Sequence, residues 1–300
     1  MTTVMTSQKR RTTNTDKSIL GQISNMSPAK AVNEYIWNSF DAKAKNVSIT
    51  VVPNGLSGIS SIKVSDDGEG IIYSELSNTF DKFLDSKKVL ERTPITRGRK
   101  GKGRFSFIKF ADRASWLSWI NESEFTIELF SSHINEYDVG FFLPSQRSGS
   151  GTEVSFSPVT DLDYDSFFSD VQPYIQNEIS WLLLSGGGYE VTVNGVILQP
   201  IEHVKSSHAK SLGEHSFDIK TVQWSIKPVY EKSYIYFMNS KFEIVHKELS
   251  EMNRKGFHCS AYVSSEWFDT FDMNNSLLNG GYHSHESEVY KQIYAYVKNA

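Results

Sequence analysis

The chain has 300 residues, enough for roughly two domains, and a lone small module is excluded. Hydrophobic residues make up 39% and aromatics 13%, and Lys+Arg 31 against Asp+Glu 35 leaves a formal charge of -4, which excludes whole-chain disorder and a global polycation for nucleic acid. The single cysteine, Cys259, can neither close an intrachain disulfide nor build a thiolate metal cluster, and it points to a reducing, cytoplasmic or otherwise intracellular setting.

Residues 1–18 are rich in Ser, Thr, Lys and Arg without apolar periodicity, and read as a flexible tail or an exchange arm that orders on a partner. Ser27-Pro28 is a helix start, a capping hydroxyl followed by a proline whose missing N–H is not needed there, and the helix is expected to run to Ala42. At 100° per residue, Glu34, Asn38 and Asp41 fall within about 60° of one another. Val32, Ile36 and Phe40 point the other way. A carboxylate can take a proton from water, and an amide oxygen suits Mg²⁺. The same stripe is equally the wetted face of an amphipathic helix.

Strands are expected at 47–52 and 59–64 around the Pro53-Asn54-Gly55 turn, followed by Asp66-Asp67-Gly68-Glu69-Gly70 at the strand end. There a carboxylate can accept from an exocyclic amine while Gly68 and Gly70 permit close approach; alone, the string is also an ordinary Asp/Gly turn. A short helix over 73–84 leads through a charged connector to Gly98, Gly101 and Gly103. From Arg97 to Lys109 there are six basic residues, Arg97, Arg99, Lys100, Lys102, Arg104 and Lys109, and no acid. Glycine N–H groups and this charge suit phosphates, with Lys100 or Lys102 the better phosphate ligand, although a solvated loop or a nucleic-acid contact has the same composition. The string lacks the βαβ setting of a dinucleotide fingerprint and the Gly-Lys-Ser/Thr ending of a Walker loop.

A helical segment continues to Ala111. Strands at 116–120, 125–130, 139–143 and 153–156, a helix over 163–183 and a hairpin around Asn194-Gly195 complete a largely antiparallel sheet covered by helices. Beyond a boundary near 205, strands at 217–230, 234–238, 242–245 and 259–263 precede a helix after His285. The apolar run Trp181–Leu184 is far short of the roughly 20 residues that cross a bilayer, so no membrane is implied. His258-Cys259 lacks a completing metal-ligand set.

Four strings occur in order: Glu34-Tyr35-Ile36-Trp37-Asn38-Ser39-Phe40-Asp41-Ala42, Asp66-Asp67-Gly68-Glu69-Gly70, Gly98 to Gly103, and Gly151-Thr152. Together they resemble the motifs of the GHKL ATPase superfamily, which includes Hsp90, MutL-type repair proteins, type II topoisomerase ATPase domains and MORC proteins. The resemblance implies a Bergerat-type α/β sandwich over 19–205, with a mostly antiparallel sheet, and an S5-like α/β transducer over 206–300. It implies bound ATP and Mg²⁺, with Glu34 activating water and Asn38 holding Mg²⁺. Asp66 would read adenine, where Gly68 and Gly70 allow close approach, and Thr152 would join that hydrogen-bond network; on the helix face itself, Asp41 suits orienting a neighbouring donor or ordered water. Gly98, Gly101 and Gly103 would shape the phosphate lid, within which Lys100 or Lys102 is the phosphate ligand the local charge favours, and Asp85-Ser86-Lys87 resembles the Ser-Lys segment before it, with Lys88 an alternative lysine. Asp67 departs from the Asn or Thr common beside the adenine-reading Asp. Lys241 and Lys255 are candidates for a transducer lysine. The implied function is Mg²⁺-dependent ATP hydrolysis coupled to lid closure and homodimerisation, acting on DNA or a protein client. A nucleotide-sensing interaction module with little turnover and Hsp90-like client remodelling are alternatives, and a histidine-kinase catalytic domain fits poorly.

Overall fold

The structure, a computed structural model, describes residues 9–13, 21, 23, 25–81, 103–229, 231–251, 256–272 and 283–299. The chain divides into two compact units, Met1–Ile175 with Tyr189–Leu198, and Gln176–Gly188 with Gln199–Ala300.

Among the described residues, the first unit is built on a ten-stranded, mostly antiparallel sheet. Its strands are β1 (Lys9–Thr12), β2 (Asn46–Pro53), β3 (Ile59–Asp66), β4 (Arg113–Ile120), β5 (Ser123–Phe130), β6 (Glu136–Val139), β7 (Leu143–Pro144), β8 (Ser150–Phe156), β9 (Glu190–Val193) and β10 (Val196–Ile197). The order is β1-β6-β5-β4-β8-β3-β2-β9-β10, with β7 beside β5. Alternation decides which face is covered: Val47, Ile49 and Val51 of β2 and Ile62 and Val64 of β3 are buried, while the β2 residues between them are exposed.

Helix α1 (Pro28–Asp41) starts as the sequence predicts, with Ser27 Oγ accepting from Lys30 N at 3.3 Å and Pro28 in the first turn. From Ala31 to Phe40 every residue is buried except Glu34 and Asn38, so the helix is sunk into the unit with one stripe open. The 3₁₀ helix Gly103–Lys109 packs beside it. Helix α2 (Gln172–Leu183) is preceded by a turn at Tyr164–Ser166 and a π turn at Phe167–Val171.

Several expectations are corrected. Lys9–Thr12, read as part of a tail or arm, form the edge strand β1 on this chain's own sheet, antiparallel to β6. Arg10 finds Glu136 at 3.2 Å and Asp138 at 3.3 Å across that pair. The helix expected over 73–84 is only the turns Tyr73–Glu75 and Leu76–Thr79 among the described residues. The strand expected at 139–143 is two pieces, β6 and β7.

The second unit carries a five-stranded sheet ordered β11-β12-β15-β13-β14, with β11 (His203–Leu212), β12 (His215–Trp224), β13 (Tyr234–Met238), β14 (Ile244–Leu249) and β15 (His258–Ser264). Strand β12 stops at Trp224, short of the expected Tyr230, and β14 starts at Ile244 rather than Phe242. On one face Phe217, Ile219, Phe237 and Val263 pack with Trp267, Phe268 and the Tyr290, Ile293 and Val297 stripe of α3 (Glu288–Asn299). On the other, Trp181 stacks on Tyr236 (4.9 Å, 10°), which stacks on Tyr262 (5.3 Å, 15°). A sheet unit of this kind is consistent with a transducer. No helix among the described residues is long and apolar enough to cross a membrane.

Candidate functional site

Alternation along β3 sets the first feature. Ile62, Val64 and Asp66 share one face, so a carboxylate is carried to the core side one step beyond the last apolar residue. Register repeats this on the neighbours, since Asp66 pairs with Thr152 of β8 and Thr152 with Ser118 of β4, directly beyond the apolar row Val64, Val154 and Trp116. The sheet therefore ends in a polar row, Asp66-Thr152-Ser118, whose members are 9%, 7% and 1% exposed.

The Asp66 carboxylate is held by protein donors. Oδ1 accepts from Gly68 N (3.0 Å) and Thr152 N (3.2 Å), and Oδ2 accepts from Ser39 Oγ (2.8 Å), which leaves acceptor capacity on Oδ2. Burial pushes the carboxyl pKa up, and the donors from Gly68, Ser39 and Thr152 oppose it. Beside it, Asp67 faces away and accepts from Lys45 N (2.8 Å), Asn46 N (2.9 Å) and Asn46 Nδ2 (2.6 Å). Burial would raise its pKa, but these donors outweigh that and lower it.

The turn after β3 closes against the end of α1. A Cβ on Gly68 would stand 2.7 Å from Ala42 O, and Glu69 N donates to that carbonyl at 2.8 Å. Gly70 has φ +74°, a left-handed conformation, and Ile71 N beyond it donates to Ser118 Oγ at 2.7 Å. Asp41 sits half-buried on the last turn of α1.

The second feature is the open stripe of α1. A Cβ built on Gly103 would lie 3.1 Å from Glu34 Oε2, 3.2 Å from Asn38 Nδ2 and 3.5 Å from Asn38 Oδ1. The turn that begins at Gly103 is bonded to α1. Tyr35 Oη donates to Arg104 O (2.9 Å) and accepts from Phe107 N (3.1 Å), and Ser106 Oγ lies 2.9 Å from Ala31 O and 2.7 Å from Gly103 O. The basic side chain next to Gly103 turns away from the stripe: Arg104 donates to Thr79 O (2.6 Å) and Thr13 Oγ1 (3.3 Å) and lies over the Phe80 and Phe105 rings. Burial pulls its guanidinium pKa down to about 10, against the opposing pull of Tyr137 and Asp81.

The residues singled out in the sequence thus fall into two groups that each meet α1: Glu34, Asn38 and Gly103 together, and Asp66, Gly68, Gly70 and Thr152 together, with the adjacent α1 residues Asn38 and Ser39 serving one group each. Ser86, Lys87, Gly98, Lys100, Gly101, Lys102 and Lys255 lie outside the described residues. Lys241 lies on the turn after β13, its N–H donating to Asn239 Oδ1 at 3.0 Å. Sequence reasoning missed Ser39 and Ser118 as members of the polar row's network. The Ala114-Trp116-Ser118 alternation was the available signal for Ser118.

The donor chemistry fits a hard cation. Glu34 and Asn38 bring a carboxylate and a side-chain amide together beneath Gly103, and such oxygen donors, completed by water and phosphate oxygens, are what Mg²⁺ takes.

Residues 26–148 match the family described as histidine kinase-, DNA gyrase B-, and HSP90-like ATPase. Over 60 residues, 20% of this chain, the sequence is 42% identical to the DNA mismatch repair protein MutL of Clostridium beijerinckii and 40% identical to that of Syntrophomonas wolfei. Those stretches span only 9% and 10% of the two relatives' own lengths. Among solved structures, the chain resembles the Aquifex aeolicus MutL ATPase domain complexed with ADP (16% identity, TM-score 0.41, 79% of this chain and 91% of that one). It also resembles the ATPase region of Saccharomyces cerevisiae topoisomerase II (13% identity, TM-score 0.47, 79% and 72%). The match over residues 26–148, less than half of the chain, supports a GHKL-type ATPase domain in that stretch.

Proposed function

We propose that this chain binds ATP between the Asp66-Thr152-Ser118 row and the open stripe of α1, and hydrolyses it with Mg²⁺. The observation that carries this reading is the pairing on one helix: Gly103 lies over Glu34 and Asn38, while Ser39, the next residue, holds the buried Asp66. Asp66 Oδ2 would accept from the adenine amine. Glu34 would take the proton from the attacking water, and Asn38 would hold Mg²⁺. When bound, the cation neutralises charge on the phosphate oxygens. Positioned N–H groups around Gly103 would add to that stabilisation.

Closure of the segment between Asp85 and Gly103 as a lid, ATP-dependent homodimerisation and an intracellular location belong to the same proposal by family resemblance. Work on DNA is drawn from the mismatch-repair relatives. The test is turnover and binding on the purified chain. Wild type should release phosphate from Mg²⁺-ATP, and Glu34→Gln should lose turnover by about a hundredfold while keeping ATP affinity within a few-fold. Equal turnover by the two proteins would reject the role of Glu34. Saturable binding with no turnover in wild type would establish the nucleotide-sensing alternative, and light scattering with and without a nonhydrolysable analogue reads dimerisation.

A further inference from the structure

The N-terminal strand and the residue after it reach Asp81, the last described residue before 82–102, and Arg104, the second described residue after that stretch. Arg11 of β1 pairs with Asp81 at 2.7 Å, where Tyr137 Oη also donates to the Asp81 carboxylate. Two residues on, the buried Thr13 accepts from Arg104 at 3.3 Å, and its own N–H donates to Asn135 O at 2.8 Å. Arg104 in turn donates to Thr79 O at 2.6 Å and is bonded through its carbonyl to Tyr35. Asp81 and Arg104 are thereby tied to β1 and the residue that follows it. Arg104 immediately follows Gly103, the residue that faces Glu34 and Asn38.

We infer that Arg11 and Thr13 are positioning residues for the nucleotide site, β1 acting through Asp81 and Arg104 to set where Gly103 stands over Glu34 and Asn38. The inference rests on the ATPase reading for its consequence and on the Arg11–Asp81 and Thr13–Arg104 contacts for its geometry. The Arg11–Asp81 pair is about a quarter exposed, so the geometry it imposes matters more than its energy. Small displacements at a reacting centre are costly, and a shift of order 1 Å can reduce turnover about a hundredfold.

The experiment has two readouts on the full chain. Hydrogen exchange is followed at the amides of Gly103–Lys109 in wild type, Arg11→Met, Arg11→Lys and Thr13→Val. Removing either contact should speed exchange there about tenfold or more while leaving β8 protected, with Arg11→Lys intermediate. Turnover and ADP affinity are measured alongside. Arg11→Met and Thr13→Val should lower kcat about tenfold with ADP affinity within about twofold, and Arg11→Lys should recover part of the loss. Unchanged exchange at Gly103–Lys109, or loss of kcat, affinity and thermal stability in parallel, overturns the inference. Should Arg11→Met fail to fold, Thr13→Val, which exchanges one hydroxyl for a methyl, decides it. A wild type that neither binds nor hydrolyses ATP overturns the ATPase reading, and the exchange result then still decides whether β1 sets the Gly103 segment.

Discussion

Ser39 Oγ donates to Asp66 Oδ2 at 2.8 Å, joining a buried serine of α1 to a buried carboxylate at the end of β3. Ser39 is 3% exposed and also contacts Tyr35 O at 3.2 Å, so water cannot readily take its place. Ser39→Ala is expected to destabilise the protein by roughly 1.5–3 kcal/mol at pH 7, the usual range for a lost hydrogen bond to a charged group. Urea unfolding at pH 7 checks the size. Repeating it at acid pH, where Asp66 takes a proton, should shrink the difference. A loss that does not change with pH would separate Ser39 from the charge on Asp66.

Asp66→Asn keeps the shape and removes the charge. Burial raises the folded-state pKa of Asp66 above its unfolded value. Its contribution to stability is therefore fully present below the unfolded pKa and is lost as pH rises through the folded one. The substituted amide carries no such titration, and its carbonyl end can still accept from Gly68 and Thr152. The variant should be as stable as wild type or more so at neutral pH, within about 1 kcal/mol. It should also lose roughly 1–3 kcal/mol of ATP-over-GTP discrimination. Calorimetry with both nucleotides reads the second effect; unchanged discrimination removes Asp66 from adenine recognition.

Local signals carried the parts of this fold whose cause is local. Ser27-Pro28 opens α1, Asn194-Gly195 turns β9 into β10, and the apolar alternation of β3 delivers Asp66 to the core face. Strand β1 was not legible because Lys9–Thr12 is polar and its partner, β6, is far away in sequence. Strand β11 was missed for a similar reason: it is an edge strand of Lys, Ser and His with mostly exposed side chains. Ser39 and Ser118 acquire their roles only when the register sets Asp66 beside Thr152 and Thr152 beside Ser118. The expected helix after Tyr73 had its apolar residues at usable spacing, yet only Leu76 and Phe80 of 73–81 are buried, too little apolar contact to hold a long helix there.

Asp67 offers the opposite pH behaviour to Asp66. Its folded-state pKa lies below the ordinary value of 3.8 because the donors from Asn46 and Lys45 outweigh burial. A depressed carboxylate pKa stabilises the fold above the unfolded pKa, and that contribution is lost as pH falls through the folded one. Asp67→Ala should cost under about 1 kcal/mol at pH 7, given how exposed and screened the group is. The difference from wild type should close as pH falls below 3.8. Thermal melts across that window check the sign, and a gap that widens on acidification would contradict it. Adenine selectivity should be unchanged, since the Asp67 carboxylate is turned to Lys45 and Asn46.

Gly103→Ala tests the convergence at the heart of the site. The added Cβ would meet Glu34 Oε2 at 3.1 Å and Asn38 Nδ2 at 3.2 Å, both the far ends of side chains that can give by a few tenths of an ångström. Among the described residues no backbone atom blocks it within that distance, so the fold should tolerate the methyl, with a stability change of about 0.5 kcal/mol or less. The chemistry should not, because Glu34 and Asn38 must both move to admit it. Turnover is expected to fall by about tenfold or more while ATP affinity, governed at the Asp66 end, changes by no more than a few-fold. Steady-state kinetics together with a binding titration separate the two quantities. An alanine variant with wild-type kcat would mean that Glu34 and Asn38 do their work elsewhere than beneath Gly103, and the proposed phosphate end of the site would have to be moved.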